Sequence, residues 1–173
     1  KPLLDIGGRT MIQRVVEQAA ASGADQVLVA TDDERIAAAV HDPRQPSSAI
    51  AMMTDAALPS GTDRVAAVAR QRGWDDDTIV VNVQGDEPFV PPRLIGQVAR
   101  LLAPDPVAAI ATLAAPIESL HEFLDPNVVK VVFAADGAAL YFSRAPIPWS
   151  RDGAAAGRGS QTDFFGALRH VGL

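Results

Sequence analysis

The 173-residue sequence contains no cysteine, and histidine is scarce. Without cysteine there can be no disulfide bond and no thiolate metal site, and nothing favours an oxidising compartment. The histidines, His41, His121 and His170, lie far apart in the chain and lack the spacing of paired metal ligands. We therefore expect no metal site built from histidine pairs, and a cytoplasmic location is the default expectation.

Excess positive charge is also lacking, because 21 acidic residues outweigh 15 basic ones and leave a formal net charge of −6. This balance argues against a nucleic-acid surface or an anionic membrane as a partner. The longest apolar run, residues 107–116, is far shorter than the roughly 20 residues that span a bilayer. No signal peptide is visible, so we expect no membrane partner. An anionic substrate would have to be bound by a local cluster of arginine or lysine.

Three common functional motifs are missing. The sequence has no Gly-x-Gly-x-x-Gly run and no Gly-x-x-x-x-Gly-Lys-Ser/Thr run, so it carries neither a dinucleotide fingerprint nor a standard P-loop. No serine lies in a Gly-x-Ser-x-Gly turn, which removes the support for a serine hydrolase. Any catalytic chemistry would therefore rest on other segments.

Predicted strands and helices alternate along the first half of the sequence. Capping residues or prolines are followed by apolar residues at helical spacing, and short apolar runs lie between these helices. Such alternation predicts a parallel sheet with right-handed crossovers. A hairpin signal, Ala135-Asp136-Gly137, predicts antiparallel strands in the second half. The predicted strands are residues 26–30, 49–54, 79–83, 107–115, 128–134 and 138–142.

The segment from Ile79 to Pro88 joins an apolar run to a glycine and two carboxylates. Its β-branched residues predict a strand that is buried on both faces, and Gly85 predicts a sharp turn after it. Asp86 and Glu87 offer hard oxygen ligands in the position where open α/β sheets bind ligands and metals. The alternative interpretation is a solvated acidic turn, which α/β loops commonly contain.

Two further segments and one histidine carry groups suited to binding. Residues 60–64, Ser-Gly-Thr-Asp-Arg, open a helix and can bind an anion or a base edge, or they simply cap the helix. Arg144 and Arg151 lie in a proline-stiffened aromatic stretch. They suit a carboxylate or a phosphate, or they pack at the edge of the core. His170 is a solvated, a buried or a ligand-binding histidine.

Seven segments in this order together resemble the CMP-Kdo synthetases, the cytidylyltransferases that activate 3-deoxy-manno-octulosonate (Kdo). The resemblance runs over almost the whole chain, and seven ordered segments are a stronger indication than the acidic turn alone. The segments are Lys1-Pro2-Leu3, Ala30-Thr31-Asp32, Ser60-Gly61-Thr62-Asp63-Arg64, Val81-Asn82-Val83-Gln84-Gly85-Asp86-Glu87-Pro88, Pro126-Asn127-Val128-Val129-Lys130-Val131-Val132, Tyr141-Phe142-Ser143-Arg144-Ala145-Pro146-Ile147-Pro148-Trp149 and Leu168-Arg169-His170-Val171-Gly172.

The resemblance implies an α/β, Rossmann-like three-layer nucleotidyltransferase fold, mostly parallel with antiparallel strands in the second half. It implies transfer of CMP from CTP to the 2-hydroxyl of Kdo, with release of pyrophosphate, to supply lipopolysaccharide biosynthesis. Magnesium (Mg²⁺) is implied as a cofactor that offsets phosphate charge and orients the reacting oxygens.

The resemblance also assigns roles to individual residues. Asp86 corresponds to the metal carboxylate and Lys1 to the phosphate-binding lysine, and both are catalytic. The implied substrate-binding residues are Ser60, Gly61 and Arg64 at the cytosine end, then Gln84, and finally Arg144, Arg151 and His170 on the side of the acidic sugar.

Several points stay open at the level of sequence. The acidic sugar could instead be 8-amino-Kdo or a sialic acid, or the protein could be an inactive nucleotide-binding relative. We expect one domain over residues 1–173, incomplete at both ends, with residues 107–150 on the sugar-binding and dimerisation side of a homodimer. Because family members have a phosphate loop before the lysine and continue past the histidine segment, we expect this stretch alone to be inactive or unstable.

Overall fold

The structure is a computed structural model that describes residues 1–43, 49–102, 108–149, 164 and 166–173. Two compact units make up the chain, residues 1–111 with Leu173, and residues 112–172. None of the helices in the described ranges combines the length and the apolar character needed to cross a bilayer. In chain order the elements are α1 (Met11–Ala20), β1 (Leu28–Thr31), α2 (Glu34–Val40), β2 (Ile50–Met53), α3 (Gly61–Arg72), α4 (Pro92–Leu102), β3 (Leu113–Pro116), α5 (Leu120–Leu124), β4 (Lys130–Phe133), β5 (Ala139–Ser143) and β6 (Leu168–Val171).

The first unit contains a parallel pair of strands, as the alternation predicts. β1 and β2 pair in register from Leu28 opposite Ile50 to Thr31 opposite Met53. The carboxyl ends of both strands therefore lie side by side, which is where parallel α/β sheets bind ligands. The core of this unit is made of α1, α2 and residues beside the strands, with Ile12, Val16, Val40 and Ala49 buried at its centre.

Helix α1 begins with a capping box. The Thr10 hydroxyl accepts the N–H of Gln13 at 3.4 Å, and the Gln13 Oε1 accepts the N–H of Thr10 at 2.9 Å. Two N–H groups that the helix leaves without partners are satisfied in this way. The amide of Gln13 also donates to the Ala39 carbonyl at 3.0 Å, which joins α1 to α2 and fixes the start of the helix against the core.

The second unit contains a four-stranded antiparallel sheet in the order β3-β6-β4-β5. The predicted hairpin between β4 and β5 is confirmed, with Gly137 at φ +90° and the Ala134 N–H donating to the Ala138 carbonyl at 2.9 Å. A separate core of Ile117, Phe123 and Ala167 lies in this unit. The α/β class is thus confirmed, although the described strands form one parallel pair and three antiparallel pairs rather than a mostly parallel sheet.

The prediction of a buried strand over residues 79–83 is wrong for this structure. Ile79 and Val80 are each 40% exposed, and within the described ranges no backbone hydrogen bond joins residues 79–83 to a neighbouring strand. A strand is defined by its partner, and a β-branched run supplies only the tendency to extend. Gly85 has no positive φ, and a Cβ there would meet only Ile12 Cδ1 at 3.6 Å, so the turn does not require glycine.

Candidate functional site

Lys1 and Asp86, the two residues predicted to be catalytic, form an ion pair. The Lys1 Nζ donates to Asp86 Oδ2 at 2.7 Å, across 85 positions of sequence. Asp86 lies in a turn that the Glu87 N–H closes by donating to the Gln84 carbonyl at 3.1 Å. The turn begins at Gln84, which is also predicted to bind substrate and is exposed two residues before Asp86.

Each member of this pair keeps the other charged. The hydrogen bond from Lys1 and its positive charge hold the pKa of Asp86 below its ordinary value. The hydrogen bond to Asp86 and the charge of Asp86 raise the pKa of Lys1, and the charge of Glu87 adds to that. Both side chains are exposed enough to meet a ligand, at 66% for Lys1 and 39% for Asp86. A cation for phosphate oxygens and an anion for a metal ion are thus available at one point of the surface.

The guanidinium of Arg64 links the carboxyl ends of the two parallel strands. Its Nη1 donates to the Thr54 hydroxyl and to the Asp55 carbonyl after β2, and its Nη2 lies 3.5 Å from Asp32 Oδ2 after β1. The side chain is only 19% exposed. Asp32 and Thr54 were not predicted as functional residues. Their position after two parallel strands is a sequence signal that could have indicated them.

Ser60 and Gly61 lie at the start of α3, and the predicted capping function of this turn is what the structure shows. The Ser60 hydroxyl accepts the Asp63 N–H at 3.1 Å and donates to the Asp63 carboxylate. The hydroxyl is therefore engaged, and the part of this turn open to a ligand is the backbone at the first helical positions. Within the described ranges this cluster and the pair of Lys1 and Asp86 share no hydrogen bond or ion pair.

In the second unit, His170 lies on β6 and is held by two contacts. Its Nε2 is 2.8 Å from the Thr112 hydroxyl, and its ring meets Phe142 edge-on with centroids 5.1 Å apart. Burial lowers the pKa of His170, so the neutral ring is favoured at neutral pH. Thr112 and Phe142 are partners that sequence reasoning missed, because strand register and not local pattern brings them to the histidine.

Arg144 follows β5 directly and is exposed. Its Nη1 donates to the Pro126 carbonyl at 2.7 Å. Its strand, β5, is separated from the strand of His170 only by β4, so the two predicted sugar-acid residues belong to one sheet region. Arg151, the third predicted residue on this side, lies outside the described residues.

The described residues form no group of three or more histidine, cysteine or acidic side chains that could hold a metal ion by themselves. A Mg²⁺ ion is usually coordinated by one or two carboxylates together with substrate phosphates, and it does not need a site made of protein ligands alone. Asp86, ionised and exposed in a turn, fits a metal ion of that kind.

The fold and these groups define the class of protein. Parallel strands whose carboxyl ends collect Asp32, Thr54 and Arg64, together with a lysine paired to a carboxylate, suit an α/β enzyme that binds nucleotide phosphates. Residues 1–169 match the cytidylyltransferase family, so the class is that of the nucleotidyltransferases.

The similar proteins narrow this class. The chain is 52% identical, over 174 aligned residues, to the 3-deoxy-manno-octulosonate cytidylyltransferase of Thioalkalivibrio sulfidiphilus (strain HL-EbGR7), and covers 67% of that protein. It is 39% identical to the solved structure of CMP:2-keto-3-deoxy-manno-octonic acid synthetase complexed with CTP, with a TM-score of 0.78. That alignment covers 99% of this chain and 65% of the other. The chain belongs to the cytidylyltransferase family, on the branch of the CMP-Kdo synthetases.

Proposed function

We propose that the protein transfers CMP from CTP to the 2-hydroxyl of Kdo and releases pyrophosphate. The observation that carries this proposal is the contact of Lys1 with Asp86 at 2.7 Å, which joins a phosphate-binding cation to a metal-binding carboxylate. The family supports the substrates, because the solved relative is complexed with CTP and both relatives are named for the same sugar.

Lys1 binds the phosphates of CTP in this mechanism. Its raised pKa keeps the ammonium protonated at neutral pH, so it offsets negative charge on the nucleotide and on the departing pyrophosphate. Charge of this kind stabilises the transition state more than the ground state when the donor is held in place beforehand. Asp86 holds the ammonium before the nucleotide arrives.

Asp86 is also the residue that would hold Mg²⁺. Its lowered pKa keeps it a carboxylate, which is the form that binds hard cations. When bound, the metal supplies charge neutralisation at the phosphates and alignment of the reacting oxygens. Gln84 lies at the other end of the same turn and is assigned to orient the substrate beside it.

The cytosine end of CTP is assigned to the start of α3. Ser60 shapes this turn as the N-cap, and the backbone at Gly61 is available for hydrogen bonds to a base or a ribose. Arg64 fixes the neighbouring strand ends through Asp32 and Thr54. In this assignment Arg64 orders the strand ends in addition to any contact that it makes with the nucleotide.

The acidic sugar is assigned to the second unit. Arg144 presents an exposed guanidinium that suits a carboxylate, and neutral His170 can donate to or accept from a sugar hydroxyl. Arg151 joins this group by resemblance alone. The protein would thereby select a sugar that carries both a carboxylate and several hydroxyls.

A pyrophosphate-release assay tests the function on the full-length protein. With CTP and Mg²⁺ we expect high turnover with Kdo and little with 8-amino-Kdo or a sialic acid. Preference for one of these other sugars would replace the proposed substrate. Binding of CTP without turnover on any acidic sugar would identify a nucleotide-binding relative without activity.

We also propose that the protein is a homodimer of the cytoplasm that supplies lipopolysaccharide synthesis. Among the described strands β5 lies at the edge of its sheet, and it exposes Leu140, Tyr141 and Phe142 by 66%, 63% and 42%, and Trp149 after it by 60%. An edge strand with large apolar side chains is suited to pairing with a second copy. A cytoplasmic location agrees with the use of CTP and with the absence of cysteine.

A further inference from the structure

Lys130 begins β4 and is completely buried, with 0% of its surface exposed. Its Nζ donates to three carbonyl oxygens, those of Asp125 at 2.7 Å, Val128 at 2.9 Å and Arg144 at 3.0 Å. Burial lowers the pKa of Lys130, the charge of Asp125 raises it and the charge of Arg144 lowers it further. A buried ammonium is destabilising unless all its donors are satisfied, and an apolar side chain would avoid that cost. Its presence points to a role other than packing.

The three carbonyls belong to two segments, the turn of residues 125–128 and the residue after β5, Arg144, which is assigned to the acidic sugar. Asp125 and Val128 are the first and last residues of a turn. The Val128 N–H closes this turn by donating to the Asp125 carbonyl at 3.1 Å. The Arg144 side chain donates to the Pro126 carbonyl inside the same turn. The contacts form a closed ring, in which the Lys130 ammonium fixes the backbone of Arg144 and the turn fixes its side chain.

The strand register places Lys130 between the two residues assigned to the sugar. It lies opposite Ser143, which precedes Arg144, and opposite Arg169, which precedes His170. Arg144 has five N–H donors, and its described contact with Pro126 engages one nitrogen. A carboxylate can therefore bind the same guanidinium while the turn still holds it.

We propose that Lys130 is a positioning residue for the carboxylate of the acidic sugar, and that it acts by fixing the backbone of Arg144 and the turn of residues 125–128. This inference rests on the proposed function. Lys130 itself does not touch the substrate. Because the residues assigned to CTP lie in the first unit, the loss of Lys130 should weaken binding of the sugar and not of the nucleotide.

The test compares Michaelis constants in the full-length protein. Lys130→Met keeps the length of the side chain and removes the ammonium. We expect the KM for Kdo to rise about tenfold while the KM for CTP changes less than about twofold. In an Arg144→Ala background, the same substitution should change the KM for Kdo by less than about twofold, because both act on one interaction. The proposal is overturned if Lys130→Met leaves the KM for Kdo unchanged or raises the KM for Kdo and for CTP equally. It is also overturned if the effects of Lys130→Met and Arg144→Ala on the KM for Kdo multiply in the double variant.

A second variant covers the case in which Lys130→Met does not fold. The Asp125 carboxylate accepts the Asn127 N–H at 2.8 Å and shapes the turn from its exposed side. Asp125→Ala should raise the KM for Kdo selectively, by about threefold, and Asp125→Asn, which keeps an acceptor oxygen, should not. An unchanged KM for Kdo in Asp125→Ala overturns the proposal.

The outcomes also separate this inference from the proposed function. If the unmodified protein does not turn over Kdo with CTP, the proposed function fails. If it does, and the Lys130 variant shows no selective effect on the sugar, only the positioning role fails.

Discussion

At the scale of single residues, the described charged groups assigned to substrates are held in place by specific partners. Asp86 holds Lys1, Asp32 holds Arg64, and a backbone carbonyl holds Arg144. The exposed pair of Lys1 and Asp86 contributes little to the free energy of unfolding, and a single hydrogen bond such as that of Arg144 contributes only modestly. Their effect is to fix the direction of a charge before a ligand arrives, which is the condition for electrostatic catalysis.

Asp86→Asn should abolish most activity without unfolding the protein. The variant keeps the shape of the side chain but removes the charge that would bind Mg²⁺ and pair with Lys1. A positioned metal ion contributes several kcal/mol, so we expect kcat to fall at least about a thousandfold. The melting temperature should change little. Asp76→Asn, an exposed acid in the preceding loop, is the matched control, and near-normal turnover by Asp86→Asn would refute the role of Asp86.

His170 should make stability depend on pH in the acidic range. Its folded pKa is lowered by burial from the ordinary 6.5, so the unfolded chain binds its proton more readily than the folded protein. Stability from this group is present above about pH 6.5 and is lost as the pH falls towards the folded pKa. Urea unfolding of the unmodified protein should show this loss, and His170→Gln should show less of it. The control is His121→Gln, because His121 lies on the exposed side of α5. Identical dependence of stability on pH in His170→Gln and in the unmodified protein would contradict the prediction.

At the scale of elements, local chemistry determines helix ends more completely than it determines strands. α1, α2 and α3 begin after Thr10, Asp33 and Ser60, each of which accepts a backbone N–H of its helix. These contacts span two or three residues, so the sequence predicts them. The prediction of a strand over residues 79–83 is wrong because strand pairing depends on a distant partner, which a local pattern does not reveal.

The capping box of α1 can be tested by stability. Thr10→Ala removes the hydroxyl that accepts the Gln13 N–H and should lower the free energy of unfolding by about 1 kcal/mol. Thr10→Ser keeps an acceptor and should stay close to the unmodified protein in urea unfolding. Equal stability of the alanine and serine variants would show that the hydroxyl bond contributes nothing.

The candidate site could be predicted only in part, because contacts between residues that are distant in sequence do not follow from a local pattern. Lys1, Asp86 and Arg64 carry charges whose residue type and order match the family, and the structure gives each a partner. The role of Lys130 could not be read from the sequence. Three carbonyls, two from a turn and one from the residue after β5, meet its ammonium only after the sheet has formed.

At the scale of the whole molecule, the residues assigned to the two substrates divide between the two units. The described residues assigned to CTP lie within residues 1–111, and those assigned to the sugar lie within residues 112–172. The net charge of −6 does not attract an anionic nucleotide, so the proposed binding of CTP would depend on a local cation such as Lys1. Raised ionic strength should therefore lower the affinity for CTP more than it lowers the affinity for an uncharged ligand.

The proposed dimer predicts a change of mass when the β5 edge is made polar. Leu140→Lys places a charge on a strand edge that is 66% exposed, so it should cost the folded chain little while opposing self-association. Analytical ultracentrifugation should show a dimer for the unmodified full-length protein and a shift towards monomer for the variant. Leu124→Lys, at 49% exposure on α5, is the control that should remain dimeric. A monomeric unmodified protein would rule out the dimer.

The burial of Lys130 has a further consequence for covalent chemistry. The sequence contains two lysines, Lys1 and Lys130. The Lys1 side chain is 66% exposed, whereas Lys130 is 0% exposed. An amine-reactive acylating reagent should therefore modify one lysine side chain in the folded protein and two in the unfolded chain. Intact mass spectrometry after a short pulse of reagent would distinguish opened molecules from folded ones, because each opened molecule carries one additional acyl group, on the lysine that the sheet otherwise conceals.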